Sequence, residues 1–204
     1  MAKHFPIRHR YTDIGKDRIT VANWYVKYKE VFDLKQLYTL VHEWLFEEGW
    51  CTRNDQDFPE IFYSQREAAF GKDHWIRWRL TKKPEEGAIF FNYEFDIEFH
   101  TVGIKDTEII IKGQKYKMNK GEAEVRVNTG LIVDYSGYFK THPLLKPFKK
   151  IWINRLLKKK IEYHKRILSN DSYRLREAIN TYLRLEKILP EKEFQEFWPT
   201  KSLD

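Results

Sequence analysis

One long apolar stripe near the C-terminus constrains the fold of this chain more than any other feature. Between Leu144 and Leu189 the apolar side chains recur in steps of three, four or seven residues, with Ser172 as the one gap. These steps keep the side chains on one face of a helix with about 3.6 residues per turn. The stripe consists of Ile153, Leu157, Ile161, His164, Leu168, Leu175, Ile179, Tyr182 and Leu189. Such a helix needs a surface to pack against, and the rest of the chain has to supply it.

The middle of the chain has a different period. Residues 60–135 show no helical repeat, only alternating runs and turns, which indicates strands. The longest run, Ile89–Thr101, places Phe91, Tyr93, Phe95, Ile97 and Phe99 on one face and Asn92, Glu94, Asp96, Glu98 and His100 on the other. The alternation predicts one buried and one wet face. The other expected strands are Ile61–Phe70, Trp75–Lys83, Glu108–Lys112, Tyr116–Met118 and Glu122–Tyr135. The first two are expected to form a hairpin across a turn at Gly71-Lys72-Asp73-His74.

Two elements are expected before this region. Thr20–Val31 alternates like a strand. Asp33 then has the position of a helix cap, with Gln36 at the spacing of a capping box, and Gly49 marks the end of the helix. The apolar face of this helix comprises Leu34, Leu37, Tyr38, Val41, Trp44 and Leu45.

The order of elements predicts an α+β fold. We expect a curved antiparallel sheet of about six to seven strands, one helix after the first strand, and a long C-terminal helix packed on the sheet. This order resembles the helix-grip superfamily of START-like and birch-pollen-allergen-like proteins over roughly residues 20–168. The resemblance implies a site between sheet and helix for lipids, hormones or other apolar molecules, although some members are enzymes and some are protein-binding modules. We divide the chain into a basic arm at 1–18, an α+β domain at 19–168, and a helical extension with an aromatic tail at 169–204.

Composition limits the compartment and the chemistry. The chain has one cysteine, Cys51, which excludes an internal disulfide framework and favours a reducing compartment. It has no apolar segment of the roughly 20 residues that cross a membrane, and its first 18 residues have no apolar run like that of a secretory signal. We therefore expect a cytoplasmic protein that is not integral to a membrane. The net charge of +7 favours anionic partners, such as nucleic acid, lipid headgroups or acidic protein surfaces.

No cluster in the sequence is typical of catalysis. Asp96, Glu98 and His100 share one face of a strand and could bind a metal, but arginines on neighbouring strands make a charged surface ladder the preferred interpretation. His42-Glu43 begins the zinc-protease pattern, yet Phe46 stands where that pattern needs its second histidine. We expect no catalytic residue, metal or cofactor.

A basic segment gives the strongest functional signal. Between Lys146 and Arg166 the cations far outnumber the one acidic residue, Glu162. The segment is either a binding surface for an anionic partner or a solvated helix face. The predicted binding residues are Lys149, Lys150, Arg155, Lys158, Lys159, Lys160, Lys165 and Arg166.

The length of the last helix raises the question of a second subunit. A straight helix from Leu144 to Leu189 would be roughly 70 Å long. A domain of this size spans roughly 45 Å. The helix could break at Ser169-Asn170-Asp171 or continue beyond the sheet, and the unbroken phase of the stripe favours continuity. We therefore predict a homo-oligomer that associates through Leu175, Ile179, Tyr182, Phe194, Phe197 and Trp198.

These features favour a non-catalytic interaction or assembly module, which self-associates, binds an anionic partner, or does both. The bulky inward side chains Trp78, Tyr93, Phe95 and Phe99 can fill the space that a ligand would need. A binding protein for an apolar small molecule or lipid is the alternative, and an enzyme is the least favoured class.

Overall fold

The computed structural model describes residues 17–52, 58–87, 89–111, 114–137, 139 and 151–185. The strands are β1 (Asp17–Tyr28), β2 (Val31–Phe32), β3 (Glu60–Ala68), β4 (Gly71–Lys82), β5 (Phe91–Ile111) and β6 (Gln114–Val133). Helix α1 (Leu34–Glu47) follows β2, and helix α2 (Lys158–Leu185) follows a π-helical turn at Trp152–Leu156.

The six strands form one open antiparallel sheet. Its order is β1-β6-β5-β4-β3, and the short β2 also pairs with β6. The apolar faces of both helices share one core with the inward side chains of the strands. The predicted α+β architecture, with one helix near the start and a long helix packed on the sheet, is therefore confirmed.

Helix α1 follows its sequence pattern closely. The Asp33 carboxylate accepts a hydrogen bond from the Gln36 amide at 3.0 Å and so caps the helix. The last turn closes at Gly49, which has a φ of +68°. The predicted burial of Leu37, Val41 and Trp44 is confirmed.

Strands β5 and β6 are longer than predicted. Residues 91–101 and 108–111 belong to one strand, and so do residues 116–118 and 122–133, because the pairing runs from Phe91 opposite Val133 to Ile111 opposite Gln114. The register shifts between Val102 and Lys105. The break that alternation suggests is thus a bulge inside one long hairpin, and the prediction of four shorter strands is wrong.

Glycines make this bulge possible. Gly103 has a φ of +65°, which L side chains rarely adopt. Gly71 starts β4 beside it, and a Cβ at Gly71 would lie only 2.6 Å from the Gly103 carbonyl carbon. The β3–β4 turn is therefore Ala69-Phe70, not the predicted residues 71–74, which belong to β4. The glycine that looked like a turn residue is needed for close approach of two strands.

Helix α2 runs without a break through residues 169–171. The predicted continuity of the stripe across this point is confirmed, while residues 144–150 and 186–189 of the predicted helix lie outside the described residues. Leu168, Leu175 and Ile179 belong to the same core. The domain boundary predicted at residue 168 consequently falls within one helix that packs on one sheet. At the other end of the domain, Asp17 and Arg18, which were assigned to the arm, belong to β1.

Candidate anion-binding surface

Five cations stand exposed where α2 begins. We call them the basic face: Arg155, Lys158, Lys159, Lys160 and Arg166. Among the residues that the structure describes, none of the five has a hydrogen-bond or ion-pair partner. Lys165, which was predicted with them, donates to Glu162 at 3.1 Å and is only partly exposed. Lys149 and Lys150 lie outside the described residues.

The geometry of α2 explains why these cations face outward. Ile161, His164 and Leu168 are buried and fix the inner face of the helix. Lys159 and Arg166 are two turns apart on the opposite side. Lys158, Lys159 and Lys160 also fill the first turn, which contains no acidic residue. Positive charge at a helix N-terminus opposes the helix dipole, so these lysines do not stabilise the helix that carries them.

Exposed apolar side chains accompany the basic face. Ile151 lies just before the π-helical turn and is 54% exposed. Leu156 lies at the end of this turn and is 62% exposed, and Tyr163 on α2 is 54% exposed. These three residues are not part of the surface predicted from the sequence. The available signal was their absence from the apolar stripe, since an apolar residue off the stripe of an amphipathic helix has to face solvent or a partner.

Beneath α2, two buried polar pairs join the helix to the sheet. The Tyr93 hydroxyl lies 2.7 Å from His164 Nδ1, and Trp24 Nε1 donates to the Ser172 hydroxyl at 2.9 Å. Ser172 is therefore not a defect of the stripe but the acceptor for a buried indole. Burial raises the pKa of Tyr93 to about 12, with a smaller contribution from the charge of Asp171. Burial lowers the pKa of His164; nearby Glu86 acts in the opposite direction and Lys160 in the same direction.

Aromatic rings occupy the space between the sheet and α1. The Trp78 ring meets the rings of Phe99 and Tyr38 at centroid distances of 4.8 and 4.7 Å. The Trp50 ring lies 4.3 Å from that of Phe95. Contacts of this kind make a densely packed core between the sheet and α1.

The alternation predicts that the outer face of the sheet is exposed to solvent, but part of this face is buried. Glu94 and Asp96 are buried, and arginines from β1 and β4 bind their carboxylates. Arg18 Nε donates to Glu94 at 2.7 Å, and Arg79 donates two hydrogen bonds to Asp96, at 2.7 and 3.0 Å. The ladder of opposite charges predicted here is present, but part of it is desolvated.

The candidate chemical cluster on this face is dispersed among other contacts. Glu98 faces Arg126, which also pairs with Glu124. The His100 ring stacks on Trp75 at 5.0 Å. Within the described residues, no group of three or more His, Cys, Asp or Glu side chains is placed to hold a metal ion.

The predicted self-association residues have another role in the single chain. Leu175 and Ile179 are fully buried in the core, and Tyr182 is buried while its hydroxyl donates to the Asp33 carbonyl at 3.2 Å. Within one chain these residues pack in the core with α1 and the sheet, and self-association through them stays a prediction. The other predicted residues, Phe194, Phe197 and Trp198, lie outside the described residues.

Over the described part of the chain, no helix is long and apolar enough to cross a membrane. Comparisons with protein families, curated proteins and solved structures find no match to this chain.

Proposed function

We propose that this protein is a non-catalytic interaction module that binds an anionic partner through the basic face. The observation that carries the proposal is the exposure of the five cations without an ionic partner among the described residues. Some cations elsewhere on the molecule face carboxylates, as Lys27 and Lys29 face Glu122. The basic face thus has an unbalanced field that an external anion can neutralise.

The energetics of the helix favour this assignment over a solvated surface with no partner. Adjacent lysines repel one another, and all three in the first turn oppose the helix dipole. Each such unfavourable contact is worth roughly 0.3–1 kcal/mol in water. A bound polyanion converts the same charges into attractive contacts and releases its own counterions.

The alternative, an apolar ligand between sheet and helix, has less support. The polar groups that face inward from α2 are already hydrogen-bonded to the sheet, through Tyr93 and Trp24. The aromatic rings beneath α1 contact each other directly. The helix-grip relationship remains a prediction, supported by the order of elements and by the packing of α2 on the sheet. A cytoplasmic location and self-association through the tail remain predictions as well.

Charge reversal tests the proposed function. The variant Lys158→Glu/Lys159→Glu/Lys160→Glu should lose most binding to a panel of polyanions: heparin, single-stranded RNA and phosphatidylglycerol vesicles. Its melting temperature should not fall, because all three side chains are exposed and glutamate in the first turn of α2 interacts favourably with the helix dipole. The matched control is Lys105→Glu/Lys117→Glu/Lys120→Glu on the β5–β6 hairpin, which makes the same change in net charge at other exposed lysines.

Equal loss of binding in both triple variants would show that only net charge matters and would overturn the assignment to the basic face. Failure of the wild-type protein to bind any member of the panel at low salt would overturn the proposed function itself.

A further inference from the structure

We propose that the anionic partner is a lipid bilayer, and that the protein docks peripherally on it with the end of the molecule where α2 begins. This inference rests on the proposed function, since the basic face supplies the attraction. The inference also takes account of exposed aliphatic side chains at this end of the molecule. A purely ionic partner would make no favourable contact with them.

A second segment brings another aliphatic side chain to the same end. The loop between β4 and β5 lies beside the second turn of α2, because a Cβ on Gly87 would be 3.7 Å from His164 Nε2. The ring of Phe91, just after this loop, lies 4.4 Å from the His164 ring. Ile89, two residues beyond Gly87, is 76% exposed. It is the most exposed of the large apolar side chains in the described part of the chain.

The same loop is tied to a further exposed ring. The Tyr135 amide donates to the Phe90 carbonyl at 3.2 Å, and Tyr135 is itself exposed. This end of the molecule therefore combines aliphatic and tyrosine side chains from the β4–β5 loop, the turn after β6, the π-helical turn and α2. We call this set the apolar end: Ile89, Tyr135, Ile151, Leu156 and Tyr163.

The combination matches the chemistry of an anionic bilayer surface. Lysines and arginines are attracted to lipid phosphates and can keep their charged groups at headgroup level while their stems lie in apolar surroundings. Single aliphatic side chains insert among the acyl chains, and tyrosine prefers the boundary between the two layers. The basic face and the apolar end would then act at different depths of one interface.

Nucleic acid explains the same residues less completely. Phosphates would satisfy the cations, and a base could stack on Tyr163. Ile89, Ile151 and Leu156 would gain little on a nucleic acid, since their exposed surface is aliphatic. The aliphatic side chains therefore favour lipid.

The test separates the apolar contribution from the ionic one. Partitioning is measured by flotation with vesicles of phosphatidylglycerol and phosphatidylcholine in roughly equal amounts, and with phosphatidylcholine alone. Wild-type protein should float with the mixed vesicles only. Ile89→Ser/Leu156→Ser should lower the partition coefficient by at least about tenfold, because two aliphatic side chains no longer leave water. The control Ile61→Ser/Ile110→Ser removes two exposed aliphatic side chains from β3 and from the hairpin, and it should float like the wild type.

Each other outcome has a defined meaning. Undiminished flotation of Ile89→Ser/Leu156→Ser, or an equal loss in its control, would overturn the bilayer inference. Binding to single-stranded RNA without binding to mixed vesicles would also overturn it, but it would leave the proposed function standing. Absence of binding to both would overturn the two together.

Discussion

At the scale of single residues, the contact between α2 and the sheet depends on two polar pairs in an otherwise apolar interface. Trp24 and Tyr93 each extend a polar group from the sheet, and Ser172 and His164 meet them from the helix. A buried donor without an acceptor costs more than a hydrogen bond gains, so these pairs make the register of the helix on the sheet specific.

Replacement of Ser172 should expose this dependence. In Ser172→Ala the Trp24 indole stays buried but loses its acceptor, and the free energy of unfolding should fall by roughly 1–3 kcal/mol. Urea denaturation measures the loss. Ser169→Ala on the same helix is the control, because Ser169 is only partly buried, and its effect should stay within about 0.5 kcal/mol. Equal effects of the two substitutions would mean that the indole does not rely on Ser172.

The buried histidine predicts a dependence of stability on pH. Burial lowers the pKa of His164 below its ordinary value of 6.5, so the unfolded chain binds a proton more readily than the folded one. The contribution of neutral His164 to the free energy of unfolding is therefore fully present above pH 6.5. It is lost as the pH falls through the folded pKa. Burial also lowers the pKa values of His74 and His100, which act in the same direction.

His164→Gln should weaken this dependence, since glutamine stays neutral. The measurement is the unfolding free energy of wild type and variant between neutral pH and about pH 5. The variant should lose less stability than the wild type over this interval, and the remaining loss should come from the other two histidines. Parallel curves for the two proteins would contradict the assignment to His164.

At the scale of elements, α1 anchors the core from one side. Trp44 is 3% exposed and is one of the buried residues of α1, together with Leu37, Val41 and Leu45. Trp44→Ala should lower the unfolding free energy by roughly 3–5 kcal/mol, because the cavity cannot close completely in a dense core. Denaturant titration tests this, with Thr39→Ala on the exposed face of α1 as the control. A loss below about 1 kcal/mol would mean that Trp44 is not packed as described.

The sequence predicted the type of each helix and strand better than the bulge in the sheet and the contacts between distant strands. Period and capping residues gave the bounds of α1 closely, since Asp33 and Gly49 act locally. The bulge at Gly103 was interpreted as a gap between strands, because a glycine that permits a bulge has the same local signature as one that ends a strand. The burial of Glu94 was missed, since Arg18, its partner, lies 76 residues away in the sequence.

At the scale of the whole molecule, the basic face could be predicted from the sequence and the apolar end could not. Consecutive lysines are expected to be exposed, because lysine is almost never fully buried. Ile89 and Leu156 come from distant segments, and the sequence does not reveal that the β4–β5 loop packs beside His164 on α2. The burial of Leu175 and Ile179 within their own chain shows the same limit, because periodicity defines an apolar face but not what covers it.

The strand order has a consequence for how the chain folds during synthesis. β1 is completed at Tyr28, yet its described partner in the sheet is β6, which ends at Val133. A ribosome that makes roughly 5–20 residues per second therefore releases β1 several seconds before its neighbour exists. During that interval the unpaired strand presents backbone groups and the apolar side chains Trp24 and Val26. The β5–β6 hairpin, whose contacts are local, can close first and then offer β6 as the template on which the oldest strand of the nascent chain finally docks.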